Sequence, residues 1–140
     1  MLLTNSDRTK IYEQYAGDYN KYFEERIPSK ITLMLNPDSD YVKVFNNIIF
    51  NSEVYLEDIE QPQRTLTHIR AYSEHQDSGR IPLLISRSSN VRRKLRAWKA
   101  DIPRQGRQRM RNPWIFLELE YDNTYNGKFI LHDIIVNYTL

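Results

Sequence analysis

The side chains in this sequence best suited to proton transfer or metal ligation are three histidines, His68, His75 and His132, and each stands alone. Only His75 has carboxylates close by, Glu74 and Asp77, in a run that reads as a turn. A metal centre needs several donors at matched spacing, so none is expected, and no cofactor either. His132 falls on the apolar side of a strand-like run and reads as a hydrogen-bonded core or interface residue. Asp38–Ser39–Asp40 resembles the opening of a calcium loop but lacks the glycine and the distant glutamate that complete one, so it reads as a polar turn. There is no glycine-rich phosphate loop, no G-x-S-x-G elbow, and no acid pair that spacing would bring together. No catalytic residue is assigned, and an enzyme is not expected.

The remaining chemistry is that of charge. Between Gln61 and Asn112 the chain carries thirteen Lys or Arg against three Asp or Glu, a net of +10, while residues 1–60 carry −5 and residues 113–140 carry −3. Eleven of the thirteen cations are Arg, whose planar fork grips carboxylates and phosphates in pairs of hydrogen bonds. The densest run is Arg92–Arg93–Lys94–Leu95–Arg96–Ala97–Trp98–Lys99, and Arg104, Arg107, Arg109 and Arg111 follow it. On a single strand Arg92, Lys94, Arg96 and Trp98 would point one way, a stripe about 20 Å long. Such a stripe can pair with acidic protein surface, lie solvated, or follow a nucleic acid backbone with Trp98 stacked on a base. The arginine bias favours pairing.

Those residues need a scaffold, and its pattern is mostly of period two. Ile31, Leu33 and Leu35 alternate with Thr32 and Met34, and Asn36–Pro37–Asp38–Ser39–Asp40 ends that strand. Tyr41, Lys43 and Phe45 begin another, followed by two apolar clusters, Ile48–Phe50 and Val54–Leu56, that Asn51–Ser52–Glu53 divides. Residues 65–72 read as a strand, 74–79 as a turn, and 80–86 as an edge strand because Pro82 cannot donate to a ladder. Residues 91–102 alternate as one strand, and Pro103–Asn112 reads as a loop too charged to bury, with Gly106 at its middle. Ile115, Leu117, Leu119 and Tyr121 line one face of a strand that a turn with Asn126–Gly127 joins to Lys128–Thr139, predicting a hairpin. The fold class expected is mainly β, an antiparallel β-sandwich over residues 29–140. Residues 1–28 are expected to form a short helix or an extended arm, with Tyr12, Tyr15, Tyr19, Tyr22 and Phe23 as interface aromatics.

At 140 residues one domain can bury roughly two thirds of the surface its unfolded chain exposes, so no staple is required. The absence of cysteine removes disulfides and thiolate chemistry and fits folding in a reducing cytosol. No apolar run approaches the roughly 20 residues needed to cross a bilayer, and the first residues lack the pattern of a signal peptide, so a soluble chain without membrane insertion is expected. Ten Tyr and two Trp suit half-buried strands and interfaces alike.

Taken in order, several segments resemble one family. They are Tyr15–Ala16–Gly17–Asp18–Tyr19–Asn20–Lys21–Tyr22–Phe23, Val44–Phe45–Asn46–Asn47–Ile48, Ile69–Arg70–Ala71–Tyr72 with Gln76–Asp77–Ser78–Gly79, and the run from Arg92 to Arg104. Arg109–Met110–Arg111–Asn112–Pro113–Trp114 and Leu131–His132–Asp133–Ile134 continue it. Each segment is weak alone, but together they resemble the carboxy-terminal region of the large tail muzzle or tail stabilisation proteins of crAss-like bacteriophages. That resemblance implies a virion structural component of a short tail, made in the host bacterial cytoplasm, with no catalytic residues to carry over. It implies other tail proteins, and copies of the chain in a symmetric ring, as partners. Those proteins are far longer than this chain, which would then be a cleaved or separately encoded terminal domain, or a small paralogue. Arg92, Arg93, Lys94, Arg96, Lys99, Arg104, Arg107, Arg109 and Arg111 are the expected contact residues. Two other readings stand beside it: a nucleic-acid module lining a DNA path, which would use the same cations on phosphates, and a glycan-binding sandwich presenting Trp and Tyr.

Overall fold

The structure, a computed structural model, describes residues 28–85, 90–122 and 127–140 in full and, within residues 1–27, the backbone of four short strands. These are β1 (Leu2–Thr4) paired with β2 (Ile11–Glu13), and β3 (Lys21–Tyr22) paired with β4 (Glu25–Arg26). The remainder of the expected helix or arm lies outside the described residues. The body follows as β5 (Ser29–Leu35), β6 (Lys43–Leu56), β7 (Ile59–Glu60), β8 (His68–Tyr72) and β9 (Ile81–Pro82). It continues with β10 (Val91–Lys94), β11 (Ala97–Asp101), β12 (Arg111–Asn112), β13 (Ile115–Tyr121) and β14 (Lys128–Thr139). The described residues contain no helix, and the fold is an antiparallel β-sandwich.

The organising strand is β6, 14 residues long. Instead of two clusters split by a polar break it runs without interruption, because Ser52 is itself an inward position whose hydroxyl hydrogen-bonds Thr65 Oγ1 at 2.8 Å. One edge of β6 carries β14 along nearly its whole length, and the other carries β12, β11 and β7 in succession. With β10 beyond β11 this makes a six-stranded sheet. The second sheet runs β5-β13-β8-β9, with Pro82 on its edge strand as its missing donor requires. The expected hairpin between β13 and β14 does not form: both edges of β13 are taken, by β5 and β8, so the chain crosses to the other sheet and pairs with β6.

Inward residues of both sheets meet in one core. Phe45, Ile48, Phe50 and Val54 from β6, with Trp98 and Ala100 from β11, pack with Ile69, Ala71, Ile115, Leu117 and Leu119. Burial of each large apolar side chain stabilises the fold by about 1.5–3 kcal/mol. Two bulges keep that face apolar. Asn46 is an extra residue in β6, which lets Phe45 and Ile48 both turn inward, and His132 is an extra residue in β14 between Leu131 and Asp133. Lys43 is buried at the start of β6, where its ammonium donates to the carbonyls of Asp38 (2.8 Å) and Tyr41 (3.1 Å) and fixes the preceding turn.

Candidate protein-interaction surface

Residues 91–101 form a hairpin, not the single strand that alternation predicts. Val91, Trp98 and Ala100 turn inward, and Leu95–Arg96 make a two-residue turn in which Leu95 takes φ 58°. That region usually calls for Gly or Asn, so the sequence gives no sign of the turn. The hairpin rearranges the cationic stripe. Arg92, Lys94 and Lys99 share the solvent face, Arg96 sits in the turn, and Trp98 is 0 % exposed and cannot stack on a base. Arg93 lies on the side of Trp98: its guanidinium is 5.5 Å from the indole centroid and donates to the carbonyls of Leu95 (3.4 Å) and Pro62. Cross-strand register sets Arg92 directly opposite Lys99, an arrangement that costs stability unless an anion intervenes. Leu95, at the tip, is 92 % exposed.

The arginine loop follows. Gly106 (φ 58°) closes a tight turn in which Gln105 and Gln108 exchange backbone hydrogen bonds at 3.0 Å. Arg104, Arg107, Arg109 and Arg111 are exposed, whereas Met110 is fully buried and anchors the loop, so it is not the wholly solvated segment its charge suggests. Two glutamines fix its path. The Gln76 side-chain amide donates to Arg109 O (3.0 Å) and accepts from Arg111 N (2.9 Å), and Gln105 Oε1 accepts from Asp77 N (3.1 Å). Composition did not single out these glutamines; their one signal is an amide that both donates and accepts beside a turn.

None of the nine expected contact residues forms an ion pair among the described residues. The cations of the other sheet do. Arg70 makes paired hydrogen bonds to Asp77 (3.0 and 2.5 Å) and lies 3.8 Å from Glu118, and Arg80 grips Glu120 at 2.7 and 3.2 Å. The Arg70 hydrogen bond, then the Gly79 N–H, holds the Asp77 carboxyl at about 2. The Arg80 hydrogen bond holds Glu120 below its usual range. Burial, then the charge of Arg80, pushes His68 down.

The model of the Crassvirus muzzle protein C-terminal domain matches residues 17–105, from the amino-terminal segment through the basic hairpin. The chain belongs to that family. It is also 35 % identical over 136 residues to the muzzle protein of Bacteroides phage crAss001, a match that covers 92 % of this chain and 10 % of that protein. The chain thus spans about a tenth of the length of that relative. Within this muzzle C-terminal domain the basic hairpin lies inside the family match, and Arg107, Arg109 and Arg111 lie beyond it.

The other expected site residues are dispersed. His132 is neither core nor apolar: the bulge turns it outward, half exposed, with Nε2 3.6 Å from Glu53 Oε2. Glu53, whose pKa is lowered first by the Tyr55 hydroxyl, lines a cleft of about 580 Å³ with Glu60, Arg93, Arg96 and His132. His75 meets Glu74 at 3.5 Å, and Asp77 is held by Arg70 instead. Tyr12 and Tyr22 lie on β2 and β3, and Tyr15, Tyr19 and Phe23 lie outside the described residues.

Proposed function

We propose that this domain is a structural component of a phage tail, part of a muzzle or stabilisation assembly in the virion, and acts by packing against neighbouring proteins without catalysis. The observation that carries the reading is Arg92 opposite Lys99, with Lys94 two pairs further on, on a solvent face where none of the three forms an ion pair among the described residues. A fold that brings like charges together on a rigid hairpin spends stability on an external partner, and acidic protein surface satisfies the geometry of these side chains. Leu95 at the tip adds an apolar contact inside the charged ring. The Tyr-rich amino-terminal segment, residues 1–28, clasps an adjacent subunit, and symmetric copies surround the tail axis. The chain is made in the host cytoplasm and ends in the virion.

The test is binding of the chain to isolated tails of its phage, followed by sedimentation and by imaging of a tagged chain. The triple variant R92Q/K94Q/K99Q is expected to bind at least tenfold more weakly, and the wild type to lose affinity as salt rises. Unchanged tail binding by the triple variant overturns the reading. So does duplex DNA binding that the same variant abolishes while tail binding persists, which would make the surface a nucleic-acid site.

A further inference from the structure

The arginine loop and the most acidic exposed feature of the body sit at opposite ends of one strand. β12 brings Arg111 against Val44 at the start of β6, and the β6–β7 hairpin puts Glu57, Asp58 and Glu60 at its finish, with Ile59 66 % exposed beside them. Along a 14-residue strand these ends are on the order of 40 Å apart, so neither can neutralise the other within one molecule.

Nearer carboxylates do not serve the loop. Asp77 is held by Arg70, Glu74 lies beside His75, Asp38 accepts the Tyr138 hydroxyl at 2.5 Å, and neither Asp40 nor the exposed Asp101 at the end of β11 makes an ion pair among the described residues. Arg104, Arg107, Arg109 and Arg111 are therefore exposed guanidinium groups with no anionic partner among the described residues, on a loop whose backbone Gln76, Gln105 and buried Met110 already hold in place. A loop ordered in advance loses little entropy on binding, and guanidinium forks select planar carboxylates.

We infer that this loop is a receptor for a second copy of the chain, whose acidic β6–β7 hairpin it takes in head-to-tail register. Donor and acceptor surfaces face opposite ends of β6, so the contact is heterologous: each copy has one free loop and one free hairpin, and successive copies form a closed ring or an open row. This deepens the assembly reading above but uses other residues, and its partner is the chain itself. Its failure is therefore visible separately from failure of the β10–β11 face to bind tails.

Self-association of the 140-residue chain is measured by analytical ultracentrifugation across concentration and salt. The wild type is expected to associate at low salt and to dissociate as salt rises. R107E/R109E/R111E alone and E57R/D58R/E60R alone are each expected to weaken association at least tenfold, with circular dichroism confirming the β fold. Mixing the two reversed variants is expected to restore association, because each then offers the charge the other lacks. The milder R107Q/R109Q/R111Q variant, expected to weaken association in the same direction, replaces the reversed loop if that one does not fold. A wild-type chain that stays monomeric at low salt up to about 1 mM overturns the proposal. So does a mixture that fails to associate, or loop variants that change only the affinity for duplex DNA.

Discussion

The two sheets treat positive charge in opposite ways. On the outer face of the four-stranded sheet, register puts Glu118 opposite Arg70 and Glu120 opposite Lys30 and His68, and both flanking cations reach Glu118, Arg70 at 3.8 Å and Lys30 at 3.7 Å. Tyr72, Phe116 and Trp114 cover the same face in a row, with ring centroids 5.3 and 5.1 Å apart, and the Arg70 guanidinium lies 4.3 Å above the Tyr72 ring. On the outer face of the six-stranded sheet, register puts Arg92 opposite Lys99, and neither meets a carboxylate among the described residues. The first arrangement satisfies itself within one chain. The second leaves like charges facing each other, and on the assembly reading proposed above that difference separates arginines that hold the fold from arginines available to a partner.

The strongest way to break the comparison is to remove what both regions rest on. Trp98 is fully buried on the inner side of the basic hairpin, beneath Arg93 and in the common core. Trp98→Ala is expected to destabilise the chain by about 3–5 kcal/mol in chemical denaturation, by lost burial and a cavity. A loss below about 1 kcal/mol would mean that the hairpin is an appendage and not part of the core. A matched pair of surface changes sharpens the contrast at smaller scale. Arg70→Ala removes the partner of Asp77 and Glu118 at a half-exposed site, where screening limits the loss to about 0.5–1 kcal/mol. Arg92→Ala relieves a like-charge pair and is expected to leave stability unchanged within about 0.5 kcal/mol, or to raise it slightly. Equal losses in both variants would erase the distinction.

How much of this was legible in the sequence follows the physics of each element. β5 and β13 announce themselves because strict alternation, Ile31–Leu35 and Ile115–Tyr121, needs only a half-buried face. The continuous β6 was hidden because its inward Ser52 finds its partner, Thr65, at a distance the sequence does not display. The β10–β11 turn was hidden because Leu95 occupies a positive φ without Gly, Asn or Pro to mark it. Pairing of β14 with β6 depends on which edges remain free after β5 and β8 flank β13, a property of the assembled sheets. The charged residues of the site were readable by composition, but their grouping into a hairpin face and a clamped loop was not. That grouping follows from the turn at Leu95 and from two glutamine side chains.

Acid separates the two regions through the first of them. Burial and the charge of Arg80 lower the folded pKa of His68 from 6.5, so between those values the unfolded chain binds more protons and stability declines as pH drops below about 6.5. Glu120 and Asp77 are carboxylates held below their ordinary values of 4.5 and 3.8, in the second case at about 2. Their contribution is complete above those ordinary values and is lost as pH falls toward the folded ones. Thermal unfolding from pH 7 to pH 2 is therefore expected to show a decline that begins near 6.5 and steepens below about 4.5. His68→Gln should remove the first part, and Asp77→Asn the lowest part. Asp77 also donates its backbone N–H to Gln105, so its protonation frees Arg70 and loosens the turn that clamps the arginine loop. Asp77→Asn is then expected to weaken self-association at neutral pH, where the acidic hairpin keeps its charge. If that variant associates like the wild type, the loop is held by its glutamines and Met110 alone, and the paired sheet has no part in preparing the unpaired one.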